Sequence, residues 1–157
     1  MTYSLPRTPS APRLASWRKL RRLGVAQLAG GLAALPADAR TREQLEWAAD
    51  EVLEAGGSAG VWLARPATRA QERDVAKAMN AARTAEYDAI IAEARAAREV
   101  PPVERTRILR RLRAEMHRVE RRDFFRPTRR DQARQALRGL VERTTTADTA
   151  IAGGRRR

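Results

Sequence analysis

The chain has 157 residues, enough for one compact domain with a helical extension and short for two independent cores. Its 32 Lys and Arg against 19 Asp and Glu give a formal charge of +13, and an aromatic fraction of 4% leaves the core to Ala, Leu, Val and Ile. With no cysteine and one histidine, disulfides, thiol chemistry and zinc sites are excluded, and no metal or cofactor is expected.

Thr2 to Leu5 is a short β-prone stretch stopped by Pro6, and Ser10 with Pro12 then predicts a capped helix over 11–23, ended by Gly24. Residues 25–29 and 32–35 read as two strands around Gly30-Gly31. Thr41 is the expected cap of a second helix reaching residue 55, with Leu45, Ala48, Ala49 and Val52 on its inner side. A strand over 59–64 ends before Pro66. The order strand, helix, strand, strand, helix, strand predicts an α+β, ferredoxin-like domain over 1–66. Beyond it the pattern is helical, with segments over 70–98, 103–122 and 128–143 broken at Pro101-Pro102 and at Phe124-Phe125 with Pro127. Three helices therefore form an extension over 67–145, and 146–157 reads as a disordered basic tail. Trp47 and Trp62 are expected in the core, and the two phenylalanines at the last corner.

No apolar run reaches the roughly 18 residues of a membrane helix, and the N-terminus lacks the layout of a signal peptide, so a cytoplasmic protein is expected. The charge is segregated. Residues 1–36 carry six bases and no acid, and from Pro101 onward 17 arginines face seven acids. Lys19 and Lys77 are the only lysines, so part of the arginine excess also fits a high-GC coding bias.

On the first helix, Leu14, Trp17 and Leu20 share one side, while Arg18, Lys19 and Arg22 project from the other as candidate phosphate contacts. Arg13 and Arg21 fall beside the apolar arc, with Glu46 or Glu54 as expected partners. Over 103–122, Ile108, Leu109, Leu112, Met116 and Val119 form a stripe opposite Arg107, Arg110, Arg111, Arg118, Arg121 and Arg122. Six like charges on one face favour a polyanion as partner, and DNA is the expected one. Ser10 at a helix start, with Arg7, Arg13 and Arg83, forms an alternative oxyanion set, although capping alone also explains Ser10. Asn80, Arg83 and Tyr87 share one face of the third helix, where Asn80 and Tyr87 read as a buried, hydrogen-bonded junction between helix and sheet domain. His117 lies among arginines with no partner at catalytic spacing, so no catalytic residue is assigned and no enzyme activity is expected.

Five pieces carry a family resemblance: Tyr3-Ser4-Leu5-Pro6-Arg7; Pro12-Arg13 with Trp17-Arg18-Lys19-Leu20-Arg21-Arg22-Leu23-Gly24; Leu35-Pro36; Asn80, Arg83 and Glu86-Tyr87; and Arg122-Asp123-Phe124-Phe125. In this order the chain resembles the N-terminal domain of the chromate resistance protein ChrB. The resemblance implies a bacterial, DNA-binding regulator of chromate-resistance genes, acting beside a chromate efflux transporter, with chromate as its effector ligand. Leu32 departs from the family's usual aromatic, and the C-terminal domain of longer members has no counterpart. The sheet region is also similar to the middle domain of phenylacetate-degradation repressors and to the CRISPR-associated Cas2 nucleases, whose shared core implies a homodimer. The nuclease chemistry does not follow, because Ser4 stands where a metal-holding aspartate would end the first strand. The remaining rivals are an oxyanion sensor and a basic module docking on an acidic protein.

Overall fold

Alternating burial along the first strand, β1 (Thr2–Ser4), sends Tyr3 toward the interior and leaves Thr2 and Ser4 outside. The computed structural model describes residues 1–154, with side chains through residue 143, and the described residues form an α+β chain of four strands and five helices. The strands β1, β2 (Ala26–Ala29), β3 (Leu32–Ala34) and β4 (Ser58–Gly60) make one antiparallel sheet in the order β2-β3-β1-β4. In its register Thr2 faces Gly60, Tyr3 faces Ala59 and Ser4 faces Ser58. The strand expected over 59–64 therefore stops at Gly60, which stands opposite Thr2, the first residue of β1. Between β2 and β3, Gly31 has φ +79° and its carbonyl accepts from Tyr3 N–H at 2.8 Å. A side chain there would collide with the Tyr3 carbonyl, so the turn requires glycine.

Two helices complete this part of the chain. The first, α1 (Ala11–Leu23), ends where Gly24 adopts φ 77° and its N–H bonds back to Arg21, the left-handed stop that glycine permits. Ser10 makes no side-chain cap bond, against expectation, since its own backbone is already helical (φ −79°, ψ −17°). In α2 (Ala39–Glu54) the cap is Asp38 and not Thr41. Asp38 Oδ1 accepts from Thr41 N–H at 2.7 Å while Thr41 Oγ1 accepts from Asp38 N–H at 3.1 Å, a reciprocal box. The Thr41 amide holds the Asp38 carboxyl below the usual carboxylate range.

The chain divides into two compact units, Met1–Met79 and Asn80–Arg157. The first is centred on Met1, Leu20, Ala33, Leu45, Ala48, Ala49 and Val52, so the inner stripe expected on α2 is buried. Each buried Leu or Val contributes about 1.5–3 kcal/mol, but the many alanines keep this core small. Trp47 and Trp62 do not join it; they are 59% and 69% exposed. Trp47 lies well off the Leu45–Ala48–Val52 stripe at 100° per residue. Trp62 follows Val61, which packs on the core, so alternation turns its ring outward, where Nε1–H donates to Thr2 Oγ1 at 3.1 Å.

The second unit contains residues 80–96 of α3 (Arg69–Ala96), with α4 (Pro102–Glu120) and α5 (Arg129–Gly154). Tyr87, Ile90, Ile91 and Ala94 of α3 pack with Leu109, Leu112, Met116 and Val119 of α4 and with Ala133, Leu137 and Leu140 of α5. Arg105 occupies the same α4 stripe one turn earlier and is itself buried, at 8% exposure. Phe124 is half-buried at the α4–α5 corner, whereas Phe125 is 42% exposed and does not plug it. The tail expected over 146–157 lies outside the fully described residues.

Candidate nucleic-acid interface

At 100° per residue, Pro12, Ser16, Lys19, Leu20 and Leu23 of α1 fall within an arc of about 100°, and these are its buried or half-buried positions. Arg13, Leu14, Trp17, Arg18, Arg21 and Arg22 spread over about 180° of the remaining circumference, and all are exposed. Of the apolar trio expected inside, only Leu20 is buried; Leu14 and Trp17 are each 46% exposed. The small Ala-rich core has room for a narrow stripe alone.

The bases on this helix differ in their partners. Lys19 Nζ donates to Glu51 Oε1 at 2.6 Å and to the Trp47 carbonyl at 3.2 Å, so its charge is spent within its own unit. Among the described residues, Arg13, Arg18, Arg21 and Arg22 have no carboxylate within ion-pair distance. Glu46, one expected partner for Arg13 or Arg21, binds Arg42 instead at 2.7 Å. Arg21 places its Cζ 4.8 Å from the centroid of the Trp17 ring. The result is a convex arginine surface with an indole in it and no acid to neutralise it.

The arginine face of α4 is more compensated. Arg111 pairs with Glu93, Arg118 with Glu115, and Arg122 with Glu86 at 3.1 Å. Arg107 and Arg110 are exposed without such partners, and Arg121 is exposed at the helix C-cap. Exposed pairs contribute little to stability, yet each removes most of the field its arginine would present to a polyanion. In the stripe opposite, Leu109, Leu112, Met116 and Val119 are buried and Ile108 is half-buried. A groove of about 410 Å³ beside it, lined by Pro101, Val103, Glu104, Arg107, Ile108 and Arg111, mixes both charge signs.

Asn80, Arg83 and Tyr87 lie along α3, and the hydrogen bond of Tyr87 runs to the α4–α5 corner and not to the sheet. Tyr87 O–H donates to Asp123 Oδ2 at 2.8 Å, and Asp123 Oδ1 accepts from Arg126 N–H at 2.8 Å. That contact holds Arg126 at its left-handed φ of 49°. Arg83 Nε and Glu86 Oε2 lie 3.0 Å apart without hydrogen-bond alignment, and Asn80 Oδ1 is buried without a partner. Burial pushes the Arg83 guanidinium below its ordinary pKa, against the attraction of Glu86. Of the oxyanion set, Arg7, Ser10 and Arg13 are exposed in the first unit, while Arg83 is committed to Glu86 in the second.

Burial first, and Asp123 second, raise the Tyr87 hydroxyl well above its usual range. A raised folded value means that this contribution is complete below about pH 10 and is lost as pH rises beyond it, since only the unfolded chain then ionises. Tyr87→Phe is expected to cost about 1.5–3 kcal/mol at pH 7 and to flatten the alkaline decline in urea-melt stability. Unchanged stability, or an alkaline limb like that of the parent, would count against this linkage.

The profile of the family described as Protein ChrB, N-terminal, matches residues 13–100, from Arg13, the first residue of the α1 arginine arc, past the end of α3. The chain belongs to the ChrB N-terminal family. Membership ties it to chromate resistance. Comparison with curated proteins and with solved structures gave no match. The matched span contains Arg13 to Arg22, Asn80, Arg83 and Tyr87, whereas Tyr3–Arg7 and the Arg122–Phe125 corner lie outside it. Among the described residues no helix is long and apolar enough to cross a membrane.

Sequence reasoning missed two elements. One is Arg105, whose spacing of four and seven from Leu109 and Leu112 places it on the buried stripe. The other is the Trp17–Arg21 stack, signalled only by an i, i+4 spacing that equally suits packing.

Proposed function

We propose that this ChrB-family chain is a regulator of chromate-resistance genes that binds DNA through α1. The observation that carries the reading is the set Arg13, Arg18, Arg21 and Arg22, exposed and without carboxylate partners on one helix. Their spread over about 180° suits a concave polyanion better than a flat one, and the DNA major groove admits an α-helix between two rows of phosphate. Arg107 and Arg110 of α4 serve as a secondary contact. The role is non-enzymatic and cytoplasmic, exerted beside a chromate efflux transporter.

The sheet unit is read as ferredoxin-like on its chain order, and the protein as a homodimer. Support for the dimer comes from β4, an edge strand whose surroundings, residues 56–64, carry no charge, with Trp62 and Leu63 exposed at 69% and 88%. Edges of this kind normally carry charges or proline that prevent pairing.

Fluorescence anisotropy with DNA from upstream of the gene, titrated against salt, tests the reading. Binding in the micromolar range with a steep salt slope is expected, at two chains per duplex. Absence of binding at low salt overturns the DNA reading, and one chain per duplex overturns the dimer. A second reading, an oxyanion sensor, is favoured by the Ser10 hydroxyl, which makes no cap bond beside Arg7 and Arg13. Repeating the titration with chromate against sulfate separates the two, since the sensor requires chromate alone to change the affinity.

A further inference from the structure

The four unpaired guanidinium groups of α1 are not equivalent. Arg13, Arg18 and Arg22 are exposed, and no ring contact holds them. Arg21 lies over the indole of Trp17, one turn earlier, with its Cζ 4.8 Å from the ring centroid. Trp17 is itself 46% exposed, so the pair sits at the surface and not in the core. Stacking on an aromatic uses the face of a guanidinium and leaves its in-plane N–H donors for another partner. No carboxylate among the described residues takes them.

We infer that Arg21 is the residue through which the α1 face grips a pair of acceptor atoms on nucleic acid, and that Trp17 is the positioning residue that holds its donor fork. This rests on the DNA reading above and specifies how that surface binds. A free arginine gives up rotamer freedom when it docks, whereas Arg21 has already given up much of it in the unbound protein. The ligand chemistry is two acceptors side by side: two phosphate oxygens, or O6 and N7 of a guanine edge. Lysine keeps the charge of Arg21 but offers neither the plane that stacks nor the fork that binds both acceptors.

The test uses the full chain and a duplex probe, with Arg21→Lys, Trp17→Ala and Trp17→Phe compared with Arg18→Lys and Arg22→Lys. Arg21→Lys and Trp17→Ala are each expected to weaken binding about tenfold, the scale of one bidentate contact. Trp17→Phe restores most of the loss, because any aromatic face supports the stack. The two control lysines change affinity less than about threefold, since counterion release follows charge. Equal effects at positions 18, 21 and 22, or an unaffected Trp17→Ala, overturn the inference while the DNA reading stands. A parent chain that binds no DNA overturns both. A probe carrying 7-deazaguanine assigns the acceptors: the penalty of Arg21→Lys disappears if they belong to guanine and persists if they belong to phosphate. Arg21→Lys leaves the core untouched, so the test does not depend on how Trp17→Ala folds.

Discussion

Glutamine at Arg13, Arg18, Arg21 and Arg22 together is expected to lower DNA affinity on the order of 10³-fold near 0.1 M salt, with helix content unchanged. The magnitude follows from counterion release. Each phosphate neutralised steepens the dependence of log affinity on log salt by about 0.9, which at tenfold dilution from molar salt is about eightfold per contact. Glutamine keeps a long, helix-compatible side chain, and all four positions are exposed, so the loss is one of charge and not of packing. The salt slope should fall by about 3.6 at the same time. The matched control is Arg107→Gln with Arg110→Gln on α4, which removes two exposed arginines of that face that pair with no carboxylate among the described residues, and as a secondary contact should cost no more than about 60-fold. If the α4 pair has the larger effect, or if the α1 variant binds with the parent's salt slope, α1 is not the contact surface.

The contrast between the two arginine helices was only partly legible in the sequence. Periodicity places Arg107 to Arg122 on one face and makes α4 look the stronger candidate, because six like charges align there. What it omits are the partners from another element: Glu93 and Glu86 of α3 reach Arg111 and Arg122, while Arg118 pairs within α4 with Glu115. Ion pairing between helices depends on packing, which has no period. On α1 the error runs the other way. Leu14 and Trp17 were assigned inward on hydrophobicity, yet the buried stripe is only Ser16 and Leu20 with half-buried neighbours, since few large side chains are available to build a deep core.

The element boundaries were more accessible because they depend on local chemistry. Gly24 stops α1 at the expected residue, and Pro101-Pro102 separates α3 from α4. The inner face of α2 is as its spacing requires. Trp47 and Trp62 were open to the same logic: one lies off the Leu45–Val52 stripe and the other follows an inward-facing Val61. Period, not residue size, decides which side of an element is buried. The cap of α2 is harder to read for a narrower reason: its box reverses the usual assignment of residue types, with the acid at the cap and Thr41 at the third position.

Arg105 carries the largest expected effect on stability. Its guanidinium and Nε donate to the carbonyls of Ala97 at 3.3 Å, Arg98 at 3.3 Å, Val100 at 2.8 Å and Arg143 at 3.2 Å. The first three belong to residues 97, 98 and 100, in the connection between the end of α3 and the start of α4, where neither helix's own ladder reaches them. The fourth belongs to α5, so one side chain joins the end of α3, the start of α4 and the side of α5 within the helical unit. A positive charge at a helix C-terminus also complements the dipole. Arg105→Met fills similar volume but leaves these acceptors to whatever water reaches them, at about 1–3 kcal/mol for each that stays dry. With most of the contacts only partly buried, the net loss is expected to be about 3 kcal/mol, or roughly 12–24 °C in the melting temperature of a unit this size. Arg105→Lys retains the charge and one donor direction and should fall between the two. A calorimetric shift below about 1 kcal/mol for Arg105→Met would show that solvent satisfies these carbonyls, and that the apolar contacts of Leu112, Val119 and Leu140 suffice to hold the three helices together.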